Sequence, residues 1–292
     1  MASALTVTPA LLRESPLPDA GGGKEGRGRT LVIGGSAETP GGARLAAEAT
    51  LRCGAGKLQV ATATSVAAAL AVALPEAMVR GLPETETGAI SAAGANCLSE
   101  LRDGAGCVLV GPGLADIQES ASLAAAMVRD LDAPVVLDAL ALAAVTVDVN
   151  CVHHLAGRVV LTPNPDELAQ CLREDSGWVA ESPSRAASRL AEATGAVVSV
   201  GGETVWTATP DGRLWRDDGG SPGLGVSGAG DVRAGLVAGL LARGADPATA
   251  ALWGGHLHGR AGERLTARLG PLGFLARELA SEVPGLLVEF TR

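Results

Sequence analysis

Short apolar runs recur along the chain at 29–33, 57–62, 77–81, 107–110, 134–137, 158–161 and 196–200, and most of them stop at or near a glycine or proline. Runs of this length, rich in Val, Leu and Ile and without alternation, predict strands buried on both faces. Ala- and Leu-rich stretches at helical spacing lie between them, at 40–54, 65–74, in a segment ending near 102, at 117–130, from Pro165 onward and at 184–194. Strand, glycine turn, helix and strand in that order make the unit of a parallel sheet, which binds ligands at the carboxyl ends of its strands. Residues 9–14 read as a short helix, and 21–28 and 174–183 as loops. Two short strands within 204–216 flank Thr209-Pro210-Asp211-Gly212, a hairpin signal. Asp246-Pro247 starts a helix to about 266 that carries His256 and His258, and the tail after Phe274 reads as a packing helix. Two histidines at i and i+2 point to different sides of a helix, which argues against a metal pair and for ordinary helix residues.

The pattern changes at Gly223-Leu224-Gly225-Val226-Ser227-Gly228-Ala229-Gly230-Asp231, where glycines give way to an apolar helix at 232–241. Glycines let the backbone bring bare N–H groups close to an anion, and the first turn of the helix adds unpaired N–H groups and the positive end of its dipole. A transferring phosphoryl group would be stabilised there, and Asp231 would be placed to accept the proton of an attacking hydroxyl. In a chain with 40 glycines the tetrapeptide Gly-x-Gly-Asp is weak by itself, and an aspartate before a helix is commonly a cap. Strands before the loop and a long apolar helix after it supply the architecture that a phosphate-binding turn requires. A dinucleotide fingerprint is missing after the first strand, where Gly34-Gly35-Ser36 has the wrong spacing, and no Gly-Lys-Ser/Thr occurs anywhere. Asp138, just past a buried run, reads either as a cap or as a magnesium or ribose partner. Capping accounts for Pro165, Asp166 and Glu167, and leaves Asn164 able to present an amide to a ligand.

Composition narrows the partners. With 292 residues, 47% of them hydrophobic and 2% aromatic, the chain can fill a sizeable core of Ala, Val and Leu but offers no aromatic platform for stacked bases. Twenty-three basic against 32 acidic residues, net −9, argue against a nucleic-acid or anionic-membrane surface, so a bound phosphate needs backbone dipoles and Mg²⁺. Five cysteines without C-x-x-C spacing read as reduced core thiols of a cytoplasmic protein, and neither a membrane-length apolar run nor a signal-peptide core is visible.

Taken in order, Gly34-Gly35-Ser36 with Pro40-Gly41, Gly54-Ala55-Gly56, Gly111-Pro112-Gly113-Leu114, Leu137-Asp138-Ala139, Leu161-Thr162-Pro163-x-Pro165-x-Glu167 and Gly228-Ala229-Gly230-Asp231 form a series that resembles the ADP- or ATP-dependent NAD(P)H-hydrate dehydratases, over about residues 24–264. The resemblance implies an α/β fold of the three-layer ribokinase-like kind, a mostly parallel central sheet with helices on both faces. It implies a single domain over 1–292, with 1–28 as an N-terminal extension and loop. Its implied activity is repair: a nucleotide phosphorylates the ring hydroxyl of the S epimer of hydrated NADH or NADPH, phosphate leaves, and the reduced cofactor is regenerated. By that resemblance Asp231 is the catalytic base and also faces substrate. Ala43, Gly113 and Asn164 line the hydrated-nicotinamide side, and Val200, Gly201, Gly202, Glu203 and Thr204 the nucleotide side. The N–H groups of Ser227, Gly228, Ala229 and Gly230 would hold the phosphoryl group. Mg²⁺ would neutralise the phosphates of ADP or ATP with no side chain assigned as its ligand, the protein would assemble as a homo-oligomer, and a separate epimerase would act on the same substrate. Two segments depart from the family pattern: the usual Thr-Pro-His-Pro-Gly-Glu carries Asn164 and Asp166 in place of its histidine and glycine, and Val200 stands where lysine is usual. A ribokinase-like vitamin or sugar kinase and a non-catalytic nucleotide-binding protein are the competing readings.

Overall fold

A computed structural model describes residues 4–19 and 21–290. The chain enters through β1 (Leu5–Thr6), α1 (Pro9–Glu14) and the single turn α2 (Gly23–Gly26), which falls where a loop was expected. The first parallel units follow: β2 (Arg29–Ile33), α3 (Pro40–Arg52), β3 (Lys57–Ala63), α4 (Thr64–Ala73) and β4 (Ala77–Leu82). The helix expected to end near Arg102 is broken into a 3-10 stretch, Ala92–Cys97, and the short α5 (Ser99–Asp103). Next come β5 (Cys107–Val110), α6 (Ile117–Val128), β6 (Val135–Leu137), α7 (Ala143–Val147), β7 (Val159–Leu161) and α8 (Pro165–Leu172). The presumed loop at 174–183 contains α9 (Ser176–Glu181), because the Asp175 side chain accepts from Trp178 N and caps a helix that Gly177 had masked. The remainder is α10 (Pro183–Thr194), β8 (Val197–Val200), the hairpin β9 (Val205–Ala208) and β10 (Leu214–Asp217), then α11 (Ala229–Ala242), α12 (Pro247–Leu269) and α13 (Ala276–Phe290).

The strands form one ten-stranded sheet in the order β1-β10-β9-β8-β7-β6-β5-β2-β3-β4. From β4 to β8 all neighbours are parallel, while β9 runs antiparallel to both β8 and β10, and β1 joins β10 in parallel. Strand residues alternate between two apolar layers. Val32, Val60, Leu109, Val136 and Val160 pack with α3, α11, α12 and α13, and Leu31, Ile33, Val110, Leu137 and Leu161 pack with α6 to α10. This is the three-layer α/β architecture expected.

The chain leaves β2 first toward β3 and β4, and then returns to place β5 on the other side of β2. The strand order therefore reverses between β2 and β5, the kind of position at which open α/β sheets bind ligands. Glycines let the loops leaving their carboxyl ends interlock. Gly35 N donates to Pro112 O at 2.8 Å, and a Cβ on Gly42 would come within 2.6 Å of Gly113 N.

Candidate functional site

The carboxyl ends of β6, β7 and β8 face the amino end of α11. Gly228 caps that helix in the left-handed region at φ 89°, a conformation in which a side chain is strained, and a Cβ there would also strike Leu45 of α3. Ala229, Gly230 and Asp231 form the first turn, so the helix begins before the apolar run that marked it in the sequence. The Ala229 N–H is already used, donating to Val226 O at 3.1 Å, and the first helical bond is Val232 N to Gly228 O at 3.2 Å. That leaves Gly230 and Asp231 with first-turn N–H groups outside the helical ladder. A Cβ on Gly230 would meet nothing within 4 Å, so the space before it is open.

That space is a cleft of about 750 Å³. Six of the residues expected at the site line it: Asn164, Gly201, Gly202, Glu203, Ala229 and Gly230. Asp231 lies immediately behind, half-buried, with its carboxylate beside Gly228. Leu224 and Gly225, from the glycine-rich loop marked in the sequence, also line it, whereas sequence reasoning missed Arg233 and His258 from two buried helices, Gly259, and the stretch from Asp218 to Pro222 that leads from β10 toward α11.

Charge in the cleft is arranged by burial. Asp231 is raised to about 6, first by loss of water and then by the negative Glu167. Asp138 is raised further, to about 8, by burial and then by Asp231, although Thr162 Oγ1 donates to its Oδ1 at 2.7 Å. No side-chain capping bond forms at Asp138, which removes the cap reading of that residue. Glu167 is likewise raised, chiefly by burial, while its Oε2 accepts from Asn164 N at 2.8 Å. His258 is pushed down to about 3 by burial and then by the nearby positive Arg233, so the ring is neutral, and its Nε2 has no hydrogen-bond partner among the described residues. His256 is separate: its Nδ1 pairs with the buried Asp217 Oδ2 at 2.8 Å, a structural tie between α12 and β10. The two histidines face different surroundings, His256 in a structural pair and His258 on the cleft wall.

Other expected residues sit nearby without lining the cleft. Val200 is 1% exposed and packs in the apolar layer on the sheet face opposite α11. Thr204 Oγ1 donates to Asp218 Oδ1 at 3.0 Å and so fastens the cleft wall, while Ser227 is exposed on the approach to α11. Asn164 holds both ends of a capping box, its Oδ1 accepting from Glu167 N at 2.8 Å, so only its NH₂ group remains for a ligand. Ala43 and Gly113 come together at the β2/β5 reversal, where the left-handed Gly113 abuts Gly35, and Thr39 Oγ1 donates to Gly113 O at 2.8 Å. Leu45, two residues past Ala43 on α3, lies against the α11 cap.

Among the described residues no three His, Cys, Asp or Glu side chains form a metal cage, and no helix is long and apolar enough to cross a membrane. All five cysteines are unpaired, but the expectation that all are core residues fails at Cys97, which is exposed.

The family model described as NAD(P)H-hydrate dehydratase matches residues 30–285. An ADP-dependent (S)-NAD(P)H-hydrate dehydratase of Xanthomonas campestris is 46% identical over 287 residues, which cover 98% of this chain and 97% of that relative. A bifunctional NAD(P)H-hydrate repair enzyme of Moorella thermoacetica is 34% identical over 272 residues, which cover 93% of this chain but only 51% of that protein, so this chain spans about half its length. Among solved structures, an ADP/ATP-dependent NAD(P)H-hydrate dehydratase from Bacillus subtilis, co-crystallised with ATP and Mg²⁺, superposes with a TM-score of 0.83 at 27% identity and covers 99% of this chain and 100% of its own.

Proposed function

Because the chain belongs to the NAD(P)H-hydrate dehydratase family, we infer that it restores NADH or NADPH from the S epimer of the hydrated cofactor in a nucleotide-dependent dehydration, with the reaction taking place before α11. The observation that carries this is Asp231, a half-buried carboxyl poised at about 6 at the mouth of a helix whose Gly230 opens directly onto the cleft. A base of that pKa is largely ionised near neutral pH yet basic enough to take a proton.

In the proposed sequence Asp231 accepts the proton of the ring hydroxyl as its oxygen bonds to the terminal phosphorus of the nucleotide and the bond from phosphorus to the nucleotide's bridging oxygen breaks. The first-turn N–H groups of α11 hold the phosphoryl oxygens, each such donor contributing typically ~3–4 kcal/mol of barrier lowering. Phosphate then leaves with the hydroxyl oxygen and its bonding pair as the adjacent ring carbon gives up a proton to water, and the electrons of that carbon–hydrogen bond re-form the carbon–carbon double bond. Gly201, Gly202 and Glu203 shape the nucleotide side of the cleft, and the Asn164 amide is the side-chain donor at its other edge. Gly113 and the fully buried Ala43, at the β2/β5 reversal, would lie on the hydrated-nicotinamide side, a position favoured for ligands on such sheets.

Mg²⁺ fits the donor set in one mode. With no cage of carboxylates, histidines or cysteines among the described residues, the ion would be held by nucleotide phosphates and water, the arrangement Mg²⁺ favours, and Glu167 would take its water shell with the oxygen not used by Asn164. When bound it would neutralise phosphate charge. The name of the Xanthomonas relative supports ADP as the donor, and the ATP and Mg²⁺ of the Bacillus crystals support the metal. Epimerisation of the substrate would be a distinct activity, and assembly into a homo-oligomer completes the proposal.

Incubation of the protein with hydrated NADH, Mg²⁺ and ADP or ATP tests the reading through the returning absorbance of the reduced nicotinamide. Consumption of nucleotide with vitamins or sugars, and no such return, would indicate a kinase. Binding without turnover would indicate a non-catalytic protein.

A further inference from the structure

Arg233 lies two residues beyond Asp231 in α11, a helix otherwise built from small and apolar residues after its first turn. It is only 5% exposed. Its Nη2 donates to Thr162 O at 2.9 Å and Pro163 O at 3.3 Å, both backbone carbonyls at the end of β7, and its Nη1 has no hydrogen-bond partner among the described residues. A guanidinium does not shed its proton, so the charge remains in place although no carboxylate is bonded to it. Burying such a group with a donor unspent is costly unless a ligand completes it.

Its position says which ligand. Arg233 lines the cleft together with Gly201, Gly230 and His258. The guanidinium lies flat under the β8–β9 turn: a Cβ on Gly201 would come within 2.8 Å of Cζ and Nη1 and 2.9 Å of Nη2. The end of β8 itself supplies no charge, since Val200 is apolar and turned to the other face. His258 is neutral, and the other ionisable groups around the cleft are carboxyls: Glu203 and Asp218 in its lining, and Asp138, Glu167 and Asp231 behind it. An anion entering between the α11 amides and the β8–β9 turn therefore meets a cation in Arg233, whose planar fork matches phosphate oxygens.

We propose that Arg233 is a binding residue for the nucleotide, making the cationic contact with its phosphates from beneath the Gly201 turn. This rests on the nucleotide reading of the cleft and names its source of positive charge, which the sequence pattern did not reveal. A purely structural Arg233, tying β7 to α11, would serve every ligand alike. A phosphate contact discriminates by phosphate.

The test is calorimetric titration of the wild-type protein, Arg233→Gln and Arg233→Lys with adenosine, AMP and ADP. Glutamine can still donate to the Thr162 carbonyl but carries no charge. In Arg233→Gln the ADP affinity falls about tenfold or more while adenosine stays within about twofold, and Arg233→Lys lies between. An ADP-to-adenosine affinity ratio in Arg233→Gln equal to that of the wild type overturns the proposal. Failure of the wild type itself to bind ADP overturns the nucleotide reading and this inference with it. Should Arg233→Gln not fold, a crystal of the wild type with ADP decides: a guanidinium nitrogen within ~3.2 Å of a phosphate oxygen supports the contact, and phosphates lying beyond ~5 Å from every guanidinium nitrogen remove it.

Discussion

Asp231 and Asp138 are neighbouring carboxyls whose surroundings prepare them for opposite protonation states. At neutral pH Asp231, raised to about 6, is mostly ionised, whereas Asp138, raised to about 8, is mostly protonated and neutral. If Asp231 is the base, kcat/KM must fall about tenfold per pH unit below about 6, where the carboxylate is protonated and can accept nothing. A pH–rate profile flat down to pH 5 would remove the assignment. Asp231→Asn should bind ADP as the wild type does and lose ~10²–10⁴-fold in turnover, read by calorimetry and by the absorbance assay. Asp138 is best tested through stability. Its folded pKa lies above its unfolded value of about 4, so the stabilisation it gives as a neutral group is complete below pH 4 and is lost as pH rises toward and through about 8. Asp231 adds to the lower half of that window. Urea unfolding between pH 4 and 9 should therefore show wild-type stability declining with pH. Asp138→Asn, close in shape to the protonated acid and still able to accept from Thr162, should decline less.

At the scale of elements, α11 is a buried helix whose two faces use glycine for different reasons, and substitutions separate them. A Cβ on Gly235 would collide with the Ala46 carbonyl of α3, so Gly235→Ala must force the two helices apart. An overpacked contact of this kind typically costs ~1–3 kcal/mol, more than the ~0.5–1 kcal/mol that alanine gains over glycine inside a helix, and a lowered urea midpoint is the expected result. Gly230→Ala meets open space and should leave the midpoint unchanged or slightly raised. Its methyl would instead stand where the phosphoryl group approaches, and activity should fall by about tenfold or more, the loss expected when one electrostatic contact in the transition state is disturbed. The same helix shows why element limits were harder to read than elements: Ala229 and Gly230 carry no apolar signal, so only Val232 onward stood out. α9 was hidden likewise, six residues with Gly177 inside, fixed by the Asp175 cap rather than by periodicity.

For the molecule as a whole, the sheet was legible because strands buried on both faces read as unbroken Val- and Leu-rich runs, and because Gly34, Gly111, Pro163 and Gly201 punctuate their carboxyl ends. The same punctuation exposed the backbone part of the site. Arg233 and His258 escaped because each lies in a helix that reads as packing, and the 218–222 wall because the hairpin is what folds it back toward Gly201, Gly202 and Glu203. The amino-terminal stretch, expected as an extension and loop, is built into the body as far as it is described. β1 covers the β10 edge, Leu12 is fully buried, Ser15 O accepts from Trp253 Nε1 at 2.8 Å, and Pro18 O accepts from Arg243 Nη2 at 3.0 Å. Removing residues 1–19 would leave the indole N–H of Trp253 and one Arg243 donor without their partners, open a cavity where Leu12 sat, and bare β10 as an unpaired edge. Emptying the Leu12 site alone should cost ~2–5 kcal/mol, so Leu12→Ala is expected to lower the urea midpoint and the deletion to lower it further. The deletion should also aggregate on light scattering as the exposed edge pairs between molecules. A truncated protein as stable and as monodisperse as the full chain would show that sheet and core close without this segment.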